Sequence, residues 1–162
     1  MIRCMDQIQS LRNELDRLLG GKGAHADFEA AVADFPPKLS GVRPHGSAHS
    51  AWEVLEHLRI GQWDMLEFSR DPKHVSPDWP AGYWPKKSAP DSEAEWDRSV
   101  QSFRDDLAAV RKMVADPKSD LFTRFAHGEG QTLLREALQI VDHNSYHVCE
   151  LIFLRRLLGA WK

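Results

Sequence analysis

Two histidines stand four residues apart in the segment His143-Asn144-Ser145-Tyr146-His147. On a helix that spacing sets their rings ~40° apart around the axis and ~6 Å along it, so two neutral imidazoles can reach one metal ion. Their place in the hydrophobic pattern sharpens the reading. Leu133, Ala137, Ile140, Asn144, His147, Leu151, Leu154 and Leu158 follow a 4-3-4-3 spacing, which puts His147 inside the core-facing row and His143 one turn earlier at its edge. A polar ring there must find a partner or cost stability. Alone, the pair reads first as hydrogen-bonded core histidines; a third ligand turns it toward a metal. Among the eight histidines, His57 is best placed, mid-helix beside a core stripe and one turn before Gly61. A helix-interior glycine costs ~1 kcal/mol relative to alanine. Clearing room beside a ligand is one reason for Gly61, and close helix packing is the plainer one.

The residues around these three define supporting roles. Glu53, Glu56, Asp142 and Glu150 could accept the second imidazole N–H, with Glu53 and Glu150 best spaced, four before His57 and three after His147. His49 reads as a cap or a cleft-lining residue, and His25, His45, His74 and His127 as solvated loop or helix-start residues. Cys4 and Cys149 form no CxxC pair and read as reduced thiols. Two metal chemistries are set aside. A His-Glu-x-x-His protease needs glutamate where Asn144 stands, and Glu56-His57 with His147-x-x-Glu150 does not make the paired Glu-x-x-His motifs of a di-iron bundle.

The elements that must carry these residues are helical. Cys4, Ile8, Leu11, Leu15 and Leu18 form one stripe, ended by Gly20-Gly21. A short helix is expected over Ala24 to Phe35, stopped by Pro36-Pro37. The second long helix starts at Ser47 or Ser50 and runs to about Ser69; the third begins at Asp91 or Ser92 and ends before Asp116-Pro117; the fourth spans Gln131 to Leu158. Four amphipathic helices mean an all-α four-helix bundle in a single domain over 1–162, and the long connections leave room for a crossover. Between the second and third helices lies the Pro- and Trp-rich stretch from Asp71 to Pro90. Trp79, Tyr83 and Trp84 are expected to fold over the bundle as a partial cover for the histidines.

Composition narrows the function class. At 162 residues, with 42% hydrophobic and 28% charged residues, the chain can bury an ordinary core. A net charge of −3 without a basic run argues against nucleic acid as a partner. No segment has the apolar length of a membrane span and the N-terminus lacks a signal-peptide core, so the expected location is cytoplasmic. Trp63 and Trp161, read as exposed apolar residues, would suit a homodimer.

In combination these residues resemble the DinB-like (damage-inducible) superfamily of metal-binding four-helix bundles, which includes relatives of thiol-dependent S-transferases. The resemblance rests on His49-Ser50-Ala51-Trp52-Glu53-Val54-Leu55-Glu56-His57-Leu58, similar to the family's W-x-x-x-x-H-L helix, and on His143-Asn144-Ser145-Tyr146-His147, similar to its H-x-x-x-H. It extends over about residues 5 to 160. It implies metal ligands His57, His143 and His147, a nickel or zinc ion with open positions, and a small-molecule substrate. The implied activity is transfer of a low-molecular-weight thiol to a small electrophile, or hydrolysis of one. The alternative is a non-enzymatic metal-binding stress or sensor protein. Three imidazoles suit zinc, nickel, copper and iron alike.

Overall fold

The computed structural model describes residues 2–161, with side chains from residue 7 onward. Cys4, expected as a reduced thiol in the first stripe, therefore lies outside the described side chains. Among the described residues the fold is all-helical: α1 (Ile2–Leu19), α2 (Phe28–Val32), α3 (Ala51–Arg70), α4 (Glu93–Ala115) and α5 (Leu133–Leu157). Short 3-10 turns lie at Pro37–Leu39 and Ala81–Tyr83, and the one bridge, Arg124 to Thr132, belongs to no strand.

Local chemistry sets the ends. Gly21 takes a left-handed φ of 71° past α1, letting its N–H reach the Leu18 carbonyl at 3.0 Å and the Lys22 N–H reach that of Arg17 at 3.1 Å. Ser50 and Glu53 form a reciprocal capping box at the start of α3. Ser92 caps α4 by accepting from the Glu95 N–H, and Thr132 does the same for α5 with Arg135. The second helix is shorter than the expected Ala24 to Phe35. Asp27 caps it through the Ala30 N–H, and the chain leaves the helix at Ala33 before Asp34 adopts a φ of 49°.

The four long helices form a bundle in which α3 packs against α4 and α5, and α1 packs against the same two from the opposite corner. Contacts along each seam reveal direction. Glu56 meets Ser99 and Gln62 meets the Phe103 carbonyl, so α3 and α4 run parallel. Asp16 meets Arg111 while Arg12 meets the Val114 carbonyl, so α1 runs antiparallel to α4. Parallel neighbours cannot be joined by a short turn. The segment between α3 and α4 must return the length of the bundle, and it does so beside α3.

Burial falls into two apolar clusters. One gathers Phe28, Val32, Trp52, Leu55, Leu58, Trp96, Phe103, Val148 and Leu151; the other gathers Leu15, Leu19, Met65, Leu66, Val110, Leu133 and Ile140. The level between them is polar. Gln62, fully buried, donates to the Phe103 carbonyl at 2.7 Å and accepts from Asn144 Nδ2 at 2.8 Å. His57, Gly61, His143 and His147 occupy the same level. Trp63 and Trp161, expected exposed, are half-buried. Trp63 meets the His74 ring edge-on at 5.2 Å, and Trp161 lies beneath the Arg155 and Arg156 guanidinium groups. No described helix is long and apolar enough to cross a membrane.

Candidate metal centre

The capping box fixes where α3 begins, and seven residues after Ser50 the His57 side chain emerges toward α5. There it meets His143 and His147. The His57 and His143 Nε2 atoms are 3.1 Å apart, and one nitrogen from each of the three rings lies within 4.8 Å of the others. His57 and His147 are buried and His143 is half-buried. The expected triad is thus brought together on two helices. Gly61 explains the room for it: a Cβ at that position would stand 3.0 Å from His143 Cε1 and 3.4 Å from its Nε2. The glycine leaves the space that the His143 ring fills.

The far nitrogens show how the rings are held. His57 Nδ1 lies 2.9 Å from the Tyr83 carbonyl, which can only accept, so Nδ1 carries the proton and Nε2 presents its lone pair to the cluster. His147 Nδ1 donates to Glu150 Oε2 at 2.9 Å, so the tautomer that places its lone pair on Nε2 is the one this contact favours. The other oxygen of Glu150 faces His49 Nδ1 at 3.3 Å, and the two imidazoles hold this carboxyl below its usual range. His143 Nδ1 is buried without a hydrogen-bond partner, as is Asn144 Oδ1 on the next residue.

Burial pushes His143 down to about 4, helped by the nearby His147 and His57 rings and opposed by the Asn144 side chain. His57 is lowered as well, chiefly by burial. Burial thus favours neutral His57 and His143, and the outward Nδ1 atoms of His57 and His147 are engaged, which is the kind of donor set that a divalent ion needs. The residues present fit such an ion.

The return segment covers this cluster. The Trp84 indole stacks on His57 at 4.0 Å and 4°, and on His49 at 4.0 Å and 22°, so it is sandwiched between two imidazoles. The Tyr83 hydroxyl donates to Asp64 at 2.6 Å, and Ser50 Oγ donates to the Ser88 carbonyl at 2.6 Å. Trp79 departs from expectation. It is 79% exposed, with its ring edge-on to Tyr83, so the cover is made by residues 83 and 84.

Of the carboxylates proposed as outer partners, Glu150 alone takes that role. Glu53 is engaged by the capping box and Arg43; Glu56 accepts from Arg59 and Ser99; Asp142 is exposed. His49 lines the cleft, as its position suggested. His74 is a correction to the solvated reading: its side chain is 9% exposed and its Nε2 lies 2.7 Å from Asp64. The Tyr83 carbonyl and the Gln62–Asn144 pair were missed. A main-chain acceptor has no residue-type signal, although Gln62, one residue from an unexplained helix glycine, was a visible oddity.

A cavity of about 290 Å³ lies elsewhere, lined by Phe28, Phe103, Leu107, Val141, Asn144 and Val148 among others. Comparison with known proteins agrees with the geometry on the family alone. A family model described as DinB superfamily matches residues 22–151. No curated protein and no solved structure matches the chain.

Proposed function

This chain belongs to the DinB superfamily, and from that premise we propose that it binds one divalent metal ion, nickel or zinc, through His57, His143 and His147. The observation that carries the reading is the convergence of three imidazole nitrogens within 4.8 Å, with the outer nitrogens of His57 and His147 tied to acceptors. A bound ion would supply Lewis acidity, lowering the pKa of a thiol or a water molecule held beside it.

The reaction that fits is transfer of a low-molecular-weight thiol to a small electrophile, or hydrolysis of one, by a cytoplasmic protein. In it the chain's own groups have distinct tasks. His57, His143 and His147 hold the centre. Glu150 orients His147 and, through His49, links it to the half-buried cleft. Trp84 shields the His57 face from water.

The test is metal analysis of protein purified without added metal and without a nickel-binding tag, followed by assay of small electrophiles with low-molecular-weight thiols. Stoichiometric nickel or zinc, with turnover abolished by chelation, supports the proposal. Metal without turnover supports a sensor or storage protein instead, a reading favoured by the indole lying flat over His57. Protein that is metal-free and takes up neither ion overturns both.

A further inference from the structure

Tyr83 touches α3 at two levels. Its carbonyl accepts from His57 Nδ1 at 2.9 Å, and its hydroxyl donates to Asp64 Oδ2 at 2.6 Å. His57 and Asp64 are seven residues apart on the same helix, ~10 Å along its axis. One residue, from its main-chain carbonyl to its hydroxyl, therefore spans two helical turns, with the ligand candidate at one end and a buried carboxylate at the other.

Asp64 is 8% exposed and engaged on both oxygens, by the Tyr83 hydroxyl and by His74 Nε2 at 2.7 Å. The Trp63 ring meets that of His74 edge-on at 5.2 Å. Both partners of Asp64 come from the return segment, His74 near its start and Tyr83 midway. Among the described residues no carboxylate other than Glu150 reaches a ring of the triad, and His57 depends on a main-chain oxygen in an otherwise irregular stretch.

A main-chain acceptor is only as well placed as the residue that bears it. Along residues 81 to 84 the chain is a single 3-10 turn, too short to hold itself. The hydroxyl anchor at Asp64 supplies what the turn lacks. It fixes the Tyr83 side chain, hence the direction of its carbonyl, and the next residue places the Trp84 indole flat on His57.

We propose that Asp64 is a positioning residue for the metal centre, acting through Tyr83 to fix the tautomer and orientation of His57. The inference rests on the metal-binding reading above. Loss of an outer hydrogen-bond partner of a histidine ligand typically costs 10- to 100-fold in metal affinity. The same range is expected here from losing an anchor that never touches the ion.

The experiment compares wild type, Tyr83→Phe, Asp64→Ala and Asp64→Asn in two measurements. Zinc and nickel are titrated against a competing chromophoric chelator, and the metal-free proteins are studied by 15N-histidine NMR. Tyr83→Phe and Asp64→Ala should lose about 10- to 100-fold in affinity. Asp64→Asn, whose amide oxygen can still accept from the hydroxyl, should recover most of it. In the metal-free proteins the His57 Nδ1 proton should be protected in wild type and Asp64→Asn, and broadened by exchange in the other two.

A purely structural anchor would lower the melting temperature but leave both readouts unchanged. Equal affinities in wild type and Tyr83→Phe, or an unaltered His57 Nδ1 signal, overturn the inference. A wild type that binds neither ion sinks the metal-binding reading, and the NMR comparison then decides alone whether Asp64 holds His57.

Discussion

At the level where the two apolar clusters meet, α5 presents unlike surroundings on its two sides. Toward α3 it carries His143 and His147, pressed against His57 and covered by Trp84. About 130° around the same helix, Val141, Asn144, Ser145 and Val148 line the 290 Å³ cavity. The reason lies in what each side is packed against. On the histidine side the parallel arrangement of α3 and α4 forces a return segment along α3, and that segment fills the surface. On the other side α1 stops at Leu19 and α2 begins at Phe28, so the layer that should fill the gap is interrupted. At the cavity the charged side chains are already matched, Arg104 with Glu29 and Arg111 with Asp16. The cavity lies where the helical layer between α1 and α2 is broken, and the histidines lie where the return segment covers the bundle. The cavity beside α5 would by itself have pointed to the side of that helix away from the histidines.

The sharpest test of that contrast exchanges one residue on each side. His147→Ala should weaken zinc or nickel binding by at least about 100-fold, the upper end of what even an outer partner contributes. Ser145→Leu, which reaches into the cavity, should change affinity by less than about threefold. Metal titration reads both, and far-UV circular dichroism should show full helical content in each, because the apolar rows of all four long helices are intact. If Ser145→Leu proved as damaging as His147→Ala, the two sides would be one site.

Acid should next separate the sides in the metal-free protein. His143 has its pKa pushed down to about 4 by burial and its neighbours, and His57 is lowered too. Between pH 6.5 and about 4 the unfolded chain takes up a proton at His143 that the folded chain refuses. Stability should therefore be complete above pH 6.5 and fall as the pH drops through that window, by at most about 3 kcal/mol from His143. Urea melts at several pH values measure it, and His143→Gln should flatten the slope. A slope unchanged in that variant would place the acid sensitivity elsewhere.

How much of this was legible beforehand depended on which residues had only one use. Ser50 and Ser92 each precede a glutamate by three residues, and each caps its helix as that spacing indicates. His147 stood in a core row, where an imidazole without a partner is costly, and it drew His143 and His57 with it. Glu53 and Glu150 were equally well spaced, yet Arg43 and the α3 cap claim the first, and competition of that kind has no periodic signature. Trp79 and Trp84 were likewise indistinguishable as residue types. Only the path of the return segment turns one toward solvent and the other onto His57. Family membership was legible because both histidine motifs survive in order, whereas substrate identity leaves no such trace.

Chelation should have a smaller effect than acid. The histidine cluster is an addition to two apolar clusters that are complete without it, so removing an ion bound there should lower stability only by mass action. That amounts to about 2.7 kcal/mol when the free ion had stood at 100 times its dissociation constant. The chelated protein should keep its helices and melt cooperatively at lower temperature. Unfolding on chelation would make the histidines a structural clip, as in a zinc finger, and would remove the contrast between a self-sufficient bundle and the centre built on it.

The smallest expected effect is the most discriminating, because its two parts have opposite signs. Gly61→Ala adds one methyl group. In a helix interior that substitution is worth up to about 1 kcal/mol of stability through backbone entropy. The new Cβ would stand 3.0 Å from His143 Cε1, tighter than an ordinary contact, so the ring must retreat by a few tenths of an ångström. The shift is small and His143 Nδ1 has no hydrogen bond to break, so the ring can yield without unfolding the helix. In yielding it carries its Nε2 away from that of His57. The metal-free variant should therefore melt at or above the wild-type temperature while binding zinc or nickel several-fold more weakly. If stability and affinity both rose, Gly61 would be a tolerated accident. If stability fell sharply with affinity unchanged, the glycine would serve close packing of α3 on α5, and the room it leaves for His143 would be incidental.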